Sequence, residues 1–489
     1  MELKKQKKFM LTDVLIVGAQ IGASTVFAYL AKKVLPMKYW ILLAAVLAVL
    51  AVVLCYKIIS YAARIYQFRG KKLALKLSRR KFFVKFLSAV LSVILIAGCL
   101  TAGKGLGALD NISGGKYQTK LITVIVKADS SYEKLEDLEG KTIGYTPEAD
   151  VQKALDYIKD KEKVKTEPRE MASSIELGTA VLYGEVEAVI LNEAYRGLIE
   201  DEYGTFSTDT RIIYEYEEKK EVQRVDTDLD VTKEAFNVFI SGIDTYGKVS
   251  TVSRSDVNMI VTVNPKTKEI LMTSIPRDYY AELASFGVRD KLTHAGIYGV
   301  EESMATLENE FDIKIHYYAK VNFTSLIKIV DALGGINVYN DQSFTSYHNK
   351  EYYPKGEMYM DGRTALEFVR ERYGLANGDY DRVKNQQKVL KAMINKAISP
   401  AIITNYGGIM DAVSGSISTS MDAKDIQKLI QMQVNDMAAW NMEQISVTGT
   451  GTTSSTCYSM PGQNVYVMKP DYDSVNAATQ KINSVMNAE

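Results

Sequence analysis

The sequence predicts an α/β protein carried on three N-terminal transmembrane helices, with a small α/β unit and a larger one beyond them. Three observations lead there. Three long apolar runs crowd the first 103 residues. From about residue 116 strand-like and helix-like patterns alternate, separated by glycine and charged turns. Charge is also segregated: residues 1–110 carry eighteen Lys and Arg against three acids, Glu2, Asp13 and Asp110, which leaves 41 of the 59 basic and 56 of the 59 acidic side chains to the remainder. A net charge of zero therefore conceals a basic head and an acidic body.

The runs at about 11–31, 39–55 and 82–103 are each near the ~20 residues that a helix needs to cross a bilayer. The first, which contains Asp13 and several small residues, also fits a buried core helix. Several runs without an obvious cleavage site between them argue against a signal peptide. Between the second and third lies KIISYAARIYQFRGKKLALKLSRRK, with nine Lys and Arg and no acid, and the start MELKKQKK is basic too. The positive-inside rule places both in the cytoplasm and everything after the third span outside, so the expected protein is a multi-pass cell-membrane protein with extracellular C-terminal domains. The loop KKVLPMK, with three lysines, runs against that orientation, but the longer basic segment outweighs it.

The body's composition excludes several functions. An acidic remainder argues against nucleic acid as a partner. Only Cys55, Cys99 and Cys457 occur, the first two within apolar runs, so no disulfide framework is available. His294, His316 and His348 are scattered, which disfavours zinc catalysis and a Ser/His/Asp triad.

The segment 116–225 reads as strand, charged turn, strand and helix, followed by a helix end, a glycine turn and another strand. It resembles one lobe of a solute-binding domain. No residue set within it looks catalytic, and its reading is an accessory spacer or docking module. A charged stretch, EEKKEVQRVDTDLDVTKE, links it to the larger unit, 235–489.

That unit opens with NVFISGID, a strand ending at Asp244, then VNMIVTV, the turn NPKTKE and the strand ILMTSIP. A hairpin centred between Lys266 and Thr267 sets Asp256 opposite Arg277 by symmetric pairing. If the first strand runs antiparallel to the second, Asp244 reaches the same rim. Arg254 joins them, so two acids and two arginines converge at one end of a sheet. Taken alone, such a pair reads as a surface ion pair worth at most about 1 kcal/mol.

More arginines follow. A helix-like VNFTSLIKIVDAL, closed by Gly334 and Gly335, precedes the strand INVYN; then a helical pattern ends at Arg370 and Arg372, and another opens near Asp381, with Arg382 and Gln386 four apart on one face and Asp379 just before. Arginines at a helix C-terminus also complement its dipole. Their concentration in an acidic domain points instead to an anion, and the planar guanidinium fork suits phosphate oxygens. Two acids without a histidine or thiolate nearby imply a hard, oxygen-liganded cation such as Mg2+ or Mn2+.

The motifs SGIDTYGKVSTVSRSDVNMIVTVNPKTKEILMTSIPRDYY, DKLTHAGIYG, VNFTSLIKIVDALGGINV and MDGRTALEFVRERYG followed by GDYDRVKNQQKVL resemble, in this order, the LytR-CpsA-Psr family. The likeness is dense over about 235–400, and the three spans, the extra outer unit and the tail SMPGQNVYVMKPDYDSVNAATQKI look like its capsule-linked CpsA branch. The resemblance implies an α-β-α sandwich with a mixed sheet outside the membrane. It also implies a phosphotransferase that moves a glycopolymer, here a capsular polysaccharide, from a polyprenyl-pyrophosphate carrier to a peptidoglycan sugar hydroxyl. Matched by motif, Asp244 and Asp256 would ligate the metal; Arg254, Arg277, Arg370, Arg372 and Arg382 would hold the pyrophosphate, supported by Asp379 and Gln386, with Lys291 a further candidate. Many relatives have glycine where Asp381 stands and arginine where Asn385 stands. The lipid tail is expected in an apolar tunnel between sheet and helices. The acceptor's proton is left open between Asp379, a metal ligand and no base at all. Two alternatives share these residues: a non-catalytic envelope sensor, and a hydrolase that releases polyprenyl phosphate to water.

Overall fold

The computed structural model describes residues 2–35, 37–67, 71–112, 117–222, 228–243, 248–399 and 406–489. The chain forms two compact units: Met1–Asp110 with Ile398–Asp411 and Ala423–Ala438, and Asn111–Ala397 with Ala412–Asp422 and Ala439–Glu489.

The first unit holds the helices α1 (Glu2–Val34), α2 (Met37–Gln67) and α3 (Lys71–Ile112). Within them Leu11–Lys33, Met37–Arg64 and Leu77–Gly103 are long and apolar enough to cross a membrane. Their polarity is reversed relative to a water-soluble bundle. Leu15, Val49, Val52, Phe82 and Val93 face outwards, while Gln20, Ser24, Ser88 and Ser92 are buried against one another. In lipid the apolar exterior costs nothing, and interhelical hydrogen bonds satisfy the inward polar groups. Asp13 is bound by Lys81 and, at 2.9 Å, by Lys85, so the acid that makes the first span atypical is neutralised by α3. The helix Ala423–Asp436 belongs to this unit and hydrogen-bonds to the facing ends of α1 and α2: Gln431 donates to the Lys33 carbonyl (2.8 Å) and Lys38 to the Asn435 carbonyl (3.1 Å).

In the second unit, β1 (Tyr117–Lys127), β2 (Thr142–Tyr145), β3 (Glu167–Glu170), β4 (Ala188–Asn192) and β5 (Thr210–Glu221) form a mixed sheet of order β3-β2-β4-β1-β5. Alternation along β1 sends Ile122, Val124 and Val126 to a cluster with α4 (Ala149–Tyr157), and Ile125 to one with α5 (Ser174–Leu182). Two short helices follow, α6 (Arg196–Glu202) and α7 (Phe206–Asp209).

The larger sheet begins with β6 (Phe236–Ile243), β7 (Val257–Asn264) and β8 (Glu269–Ile275) and, after a separate two-stranded hairpin of β9 (Tyr280–Leu283) and β10 (Val288–Lys291), adds β11 (Tyr317–Asn322). Asn264 closes the β7–β8 turn by accepting from the backbone N–H of Lys266 (3.0 Å) and Thr267 (3.3 Å), while Lys268 takes a left-handed φ of 57°. Beyond a side layer of β12 (Ile336–Asn340), β13 (Phe344–Thr345), β14 (Tyr352–Tyr353) and β15 (Gly356–Met360) come β16 (Ser418–Thr419) and β17 (Asn441–Ser446). The central order is β16-β11-β6-β7-β8-β17, with β6–β11 and β8–β17 parallel and the other pairs antiparallel.

Helices lie on both sides of this sheet. After the short α8 (Leu292–Ala295), α9 (Val300–Phe311) and the final helix Tyr472–Met486 bury Phe239, Ile260, Leu271 and Tyr318. On the other side α10 (Phe323–Ala332), α11 (Gly362–Arg370) and α12 (Asp379–Ala397) build a second core from Val330, Ala365, Phe368 and Val389. Val238 and Ile240 of β6, Val321 of β11 and Val263 of β7 alternate with the buried face and stay only half-buried. They form a half-buried apolar strip on the same face as Met259, Val261 and Met272, which are buried.

Candidate active site

The β7–β8 register pairs Asn258 with Ile275 and Val263 with Ile270. Continued past the strand ends, it sets Asp256 beside Arg277, whose Nη1 donates to Asp256 Oδ1 at 2.7 Å. β6 runs antiparallel to β7, and the Asp256 N–H donates to the Gly242 carbonyl at 2.8 Å. The end of β6 therefore reaches the same rim; Asp244, the next residue, lies outside the described residues. Thr293 Oγ1 adds a second hydrogen bond to Asp256 Oδ1 (3.3 Å).

The segment after β10 is held tightly to this rim. The Thr293 N–H donates to the Arg277 carbonyl (2.8 Å), and the Ser255 N–H to the Thr293 carbonyl (3.1 Å). Gly296 is required there, since a Cβ would fall 2.6 Å from the Ser253 carbonyl oxygen and 2.8 Å from the Ser255 nitrogen. Lys291 Nζ lies 3.3 Å from Asp278 Oδ1, and Asp278 Oδ2 lies 3.8 Å from Arg277 Nε. Asp278 thereby bridges the two cations. The sequence reading did not single it out, although it directly follows Arg277.

The first turn of α12 brings Asp379 and Arg382, with Arg382 Nη2 2.5 Å from Asp379 Oδ1. Arg382 is buried. Burial and the repulsion of Arg277 and Arg372 lower its pKa, against the attraction of Asp379 and Asp256. Burial opposes ionisation of Asp256, but Arg277, Arg254 and Arg382 outweigh it and hold its carboxyl below the ordinary carboxylate range. Burial likewise works against the charge on Arg277, and Asp256, Asp278 and Asp379 raise its pKa nonetheless. The Nε atoms of both Arg277 and Arg382 are buried without a hydrogen-bond acceptor. Two guanidinium donors left without an acceptor fit an oxyanion there.

Two ion-paired groups result, Asp256–Arg277–Asp278–Lys291 and Asp379–Arg382, near enough for the charges of one to act on the other, as Arg254 acts on Asp256 and Arg372 on Arg382. Arg372 packs over the Tyr373 ring. Arg370 lies 4.3 Å over the Phe323 ring, at the head of α10 where β11 ends, so it shares the rim's end of the sheet. Gln386 turns back to the Val369 carbonyl (3.5 Å) and steadies the α11–α12 pair. Asp381, where many relatives have glycine, is bound by Gln342 (2.8 Å) and Asn377, so it closes the α12 entry loop. Tyr466, missed in the sequence, adds a phenol close enough to Asp278 and Asp379 for their charges to raise its pKa after burial does.

Among the described residues no group of three or more His, Cys, Asp and Glu is arranged to hold a metal ion. The donor chemistry at Asp256 nevertheless fits a hard cation. Its carboxyl is held ionised, its two hydrogen bonds from Arg277 and Thr293 fall on Oδ1, and His294, which follows Thr293, is bound to Asp290 at 2.6 Å.

The LytR_cpsA_psr family model matches residues 203–482, more than half of the chain. The chain belongs to the LytR-CpsA-Psr family. A second model, NMT1/THI5 like, matches residues 114–236, which contain the five-stranded sheet. Among curated LytR-CpsA-Psr relatives, the polyisoprenyl-teichoic acid–peptidoglycan teichoic acid transferase TagU of Enterococcus faecalis is 32% identical over 273 residues, covering 55% of this chain and 88% of its own. TagU of Bacillus cereus is 34% identical over 220 residues, 45% and 70% of the two chains. Of solved structures, B. subtilis TagV matches at 27% identity and a TM-score of 0.45, over 53% of this chain and 99% of its own.

Proposed function

We propose that this LytR-CpsA-Psr protein is a phosphotransferase that moves a glycopolymer from a polyprenyl-pyrophosphate carrier to a peptidoglycan sugar hydroxyl. The observation that carries the reading is the rim at which Asp256, Arg277, Asp278 and Lys291 interlock, with the Asp379–Arg382 pair near enough to act on their charges and two guanidinium Nε atoms left over. Such a set neutralises a pyrophosphate rather than another protein's carboxylates, because its donors converge and are buried. The names of the family relatives, teichoic acid transferases, support glycopolymer transfer; a capsular polysaccharide as the cargo rests on the resemblance of the three spans, the outer unit and the tail to the CpsA branch.

In this mechanism Arg277, Arg382 and Arg254 orient the pyrophosphate, with Arg370, Arg372 and Lys291 at its margin. The acceptor hydroxyl attacks the sugar-proximal phosphorus, forms the new P–O bond and gives up its proton, which the departing polyprenyl phosphate can carry away. The P–O bond to the bridging oxygen breaks, and polyprenyl phosphate leaves with the electron pair. Guanidinium donors fixed in advance favour the charge that builds on the transferring phosphoryl group, and each is worth about 3–4 kcal/mol of barrier by analogy with other preorganised donors. Asp256, with Asp244, would hold Mg2+ or Mn2+, which when bound would supply further positive charge to the phosphate oxygens. The half-buried wall of Val238, Ile240, Val263 and Val321 suits the polyprenyl chain. The three apolar helices would anchor the protein in the cell membrane, with the basic α2–α3 connection inside and the second unit outside.

The test replaces Arg277 and Asp256 singly with alanine in the full chain and follows radiolabelled glycan. Loss of wall-linked label and of metal-dependent pyrophosphate cleavage is expected. Wild-type levels of both, in protein still at the membrane, would refute the reading. Label ending in solution in the unsubstituted protein would favour a hydrolase.

A further inference from the structure

The five-stranded accessory sheet carries no catalytic cluster of its own, yet it touches the proposed pyrophosphate rim at one point, Arg254. Among the described residues the only hydrogen bond of this guanidinium is to the accessory helix α6, where Asp201 Oδ2 accepts from Nη1 at 2.6 Å. The same helix gives it a bare seat. A Cβ on Gly197 would lie 2.4, 2.6 and 2.8 Å from Nη2, Cζ and Nε of Arg254, so any side chain there displaces the guanidinium.

The backbone that carries Arg254 is held by the same unit. The Thr119 N–H of β1 donates to the Ser250 carbonyl and the Val252 N–H donates to the Thr119 carbonyl, both at 2.9 Å, so the loop adds to the start of β1 as a short parallel bridge. Val252 is buried with Ile175, Ala194 and Leu198 of the accessory unit and with Ile297 and Cys457 of the larger one. One residue further along β1's start, Gln118 Oε1 accepts from the Val300 N–H at 3.1 Å, and its amide donates to Glu301. Strand bridge, apolar plug and ion pair all converge on one loop, and that loop ends two residues before Asp256.

We infer that the accessory unit positions Arg254 through Asp201 and Gly197 of α6, setting its guanidinium beside Asp256 to receive the lipid-linked pyrophosphate. An ion pair whose acid is 54% exposed contributes little to stability, so its effect falls on where the guanidinium points. The guanidinium is carried two residues before Asp256, and its side chain is only 20% exposed, so it lies against the fold rather than out in solvent. Asp201 is a positioning residue, not a catalytic one, because it reaches the substrate only through Arg254.

The inference rests on the rim being a pyrophosphate site, and the experiment separates the two. In the full detergent-solubilised chain, binding of farnesyl pyrophosphate is measured beside KM and kcat for transfer. Asp201→Asn is expected to weaken binding and raise KM by about 3- to 10-fold with kcat and Tm little changed, with Asp201→Glu restoring most of the loss. Gly197→Leu is expected to approach the loss of Arg254→Ala. Asp201→Asn added to Arg254→Ala is expected to cost nothing more, since Asp201 acts only through that side chain. Unchanged binding in both Asp201→Asn and Gly197→Leu while Arg254→Ala binds weakly would overturn the inference and leave the transferase reading intact. Tighter binding in Asp201→Asn would overturn it too, by making the ion pair a competitor of the anion. Full binding in Arg277→Ala would instead sink the pyrophosphate site itself.

Discussion

Replacing Arg277 with methionine removes one guanidinium and keeps most of the side chain's apolar volume. The pair it forms with Asp256 is short, 2.7 Å, with side-chain exposures of 22% and 12%. Breaking a fully buried pair costs about 3–5 kcal/mol because the partner charge is stranded; partial exposure brings the expected loss here to about 2–3 kcal/mol. Asp256→Asn should cost a similar amount, and the double variant less than the sum by at least about 1.5 kcal/mol, since the second substitution removes a charge already unpaired. The sign with pH follows from the same field. Asp256 has a folded pKa below its unfolded value, so its contribution is present at neutral pH and is lost as pH falls through the folded value. Without Arg277 that acid limb should begin at higher pH. Urea unfolding of the detergent-solubilised chain at several pH values measures both effects. Additivity within about 0.5 kcal/mol, or an unmoved acid limb, would refute the coupling argued for the rim.

Gly296→Ala forces a Cβ against the Ser253 oxygen and Ser255 nitrogen; thermal unfolding should register a loss of about 1–3 kcal/mol, and transfer should fall with it because that backbone carries Arg254 and Asp256. His316 is buried near Lys314 and its pKa falls to about 4, below the unfolded value. Its stability contribution is therefore present above about pH 6.5 and lost as pH falls towards 4, and His316→Gln should flatten that part of a stability-against-pH curve. Ile240→Trp on the half-buried wall should lower turnover of a long polyprenyl donor several-fold more than that of a short-chain one, read as the ratio of kcat/KM values. Equal losses for the two donors would detach the wall from the lipid.

Sequence alone determined the features that depend on short range. Span length and apolarity decided the three membrane helices, because crossing lipid requires nothing from distant residues except that polar groups such as Gln20 turn inward. The β7–β8 register was equally legible. A four-residue turn between two alternating strands has one symmetric pairing, and Asp256 therefore meets Arg277. Tertiary structure decided what no local pattern encodes. Asp278 sits between Arg277 and Lys291 only because the β9–β10 hairpin folds back on the rim. Arg382 joins through the packing of α12, and Asp201 meets Arg254 across 53 positions only because β1 binds the loop of the larger unit. Periodicity reports which face of an element is buried, and such long-range meetings are set by how buried faces fit together. The same reason hid the half-buried wall: valines and isoleucines alternate identically whether a packed core or a lipid chain covers them.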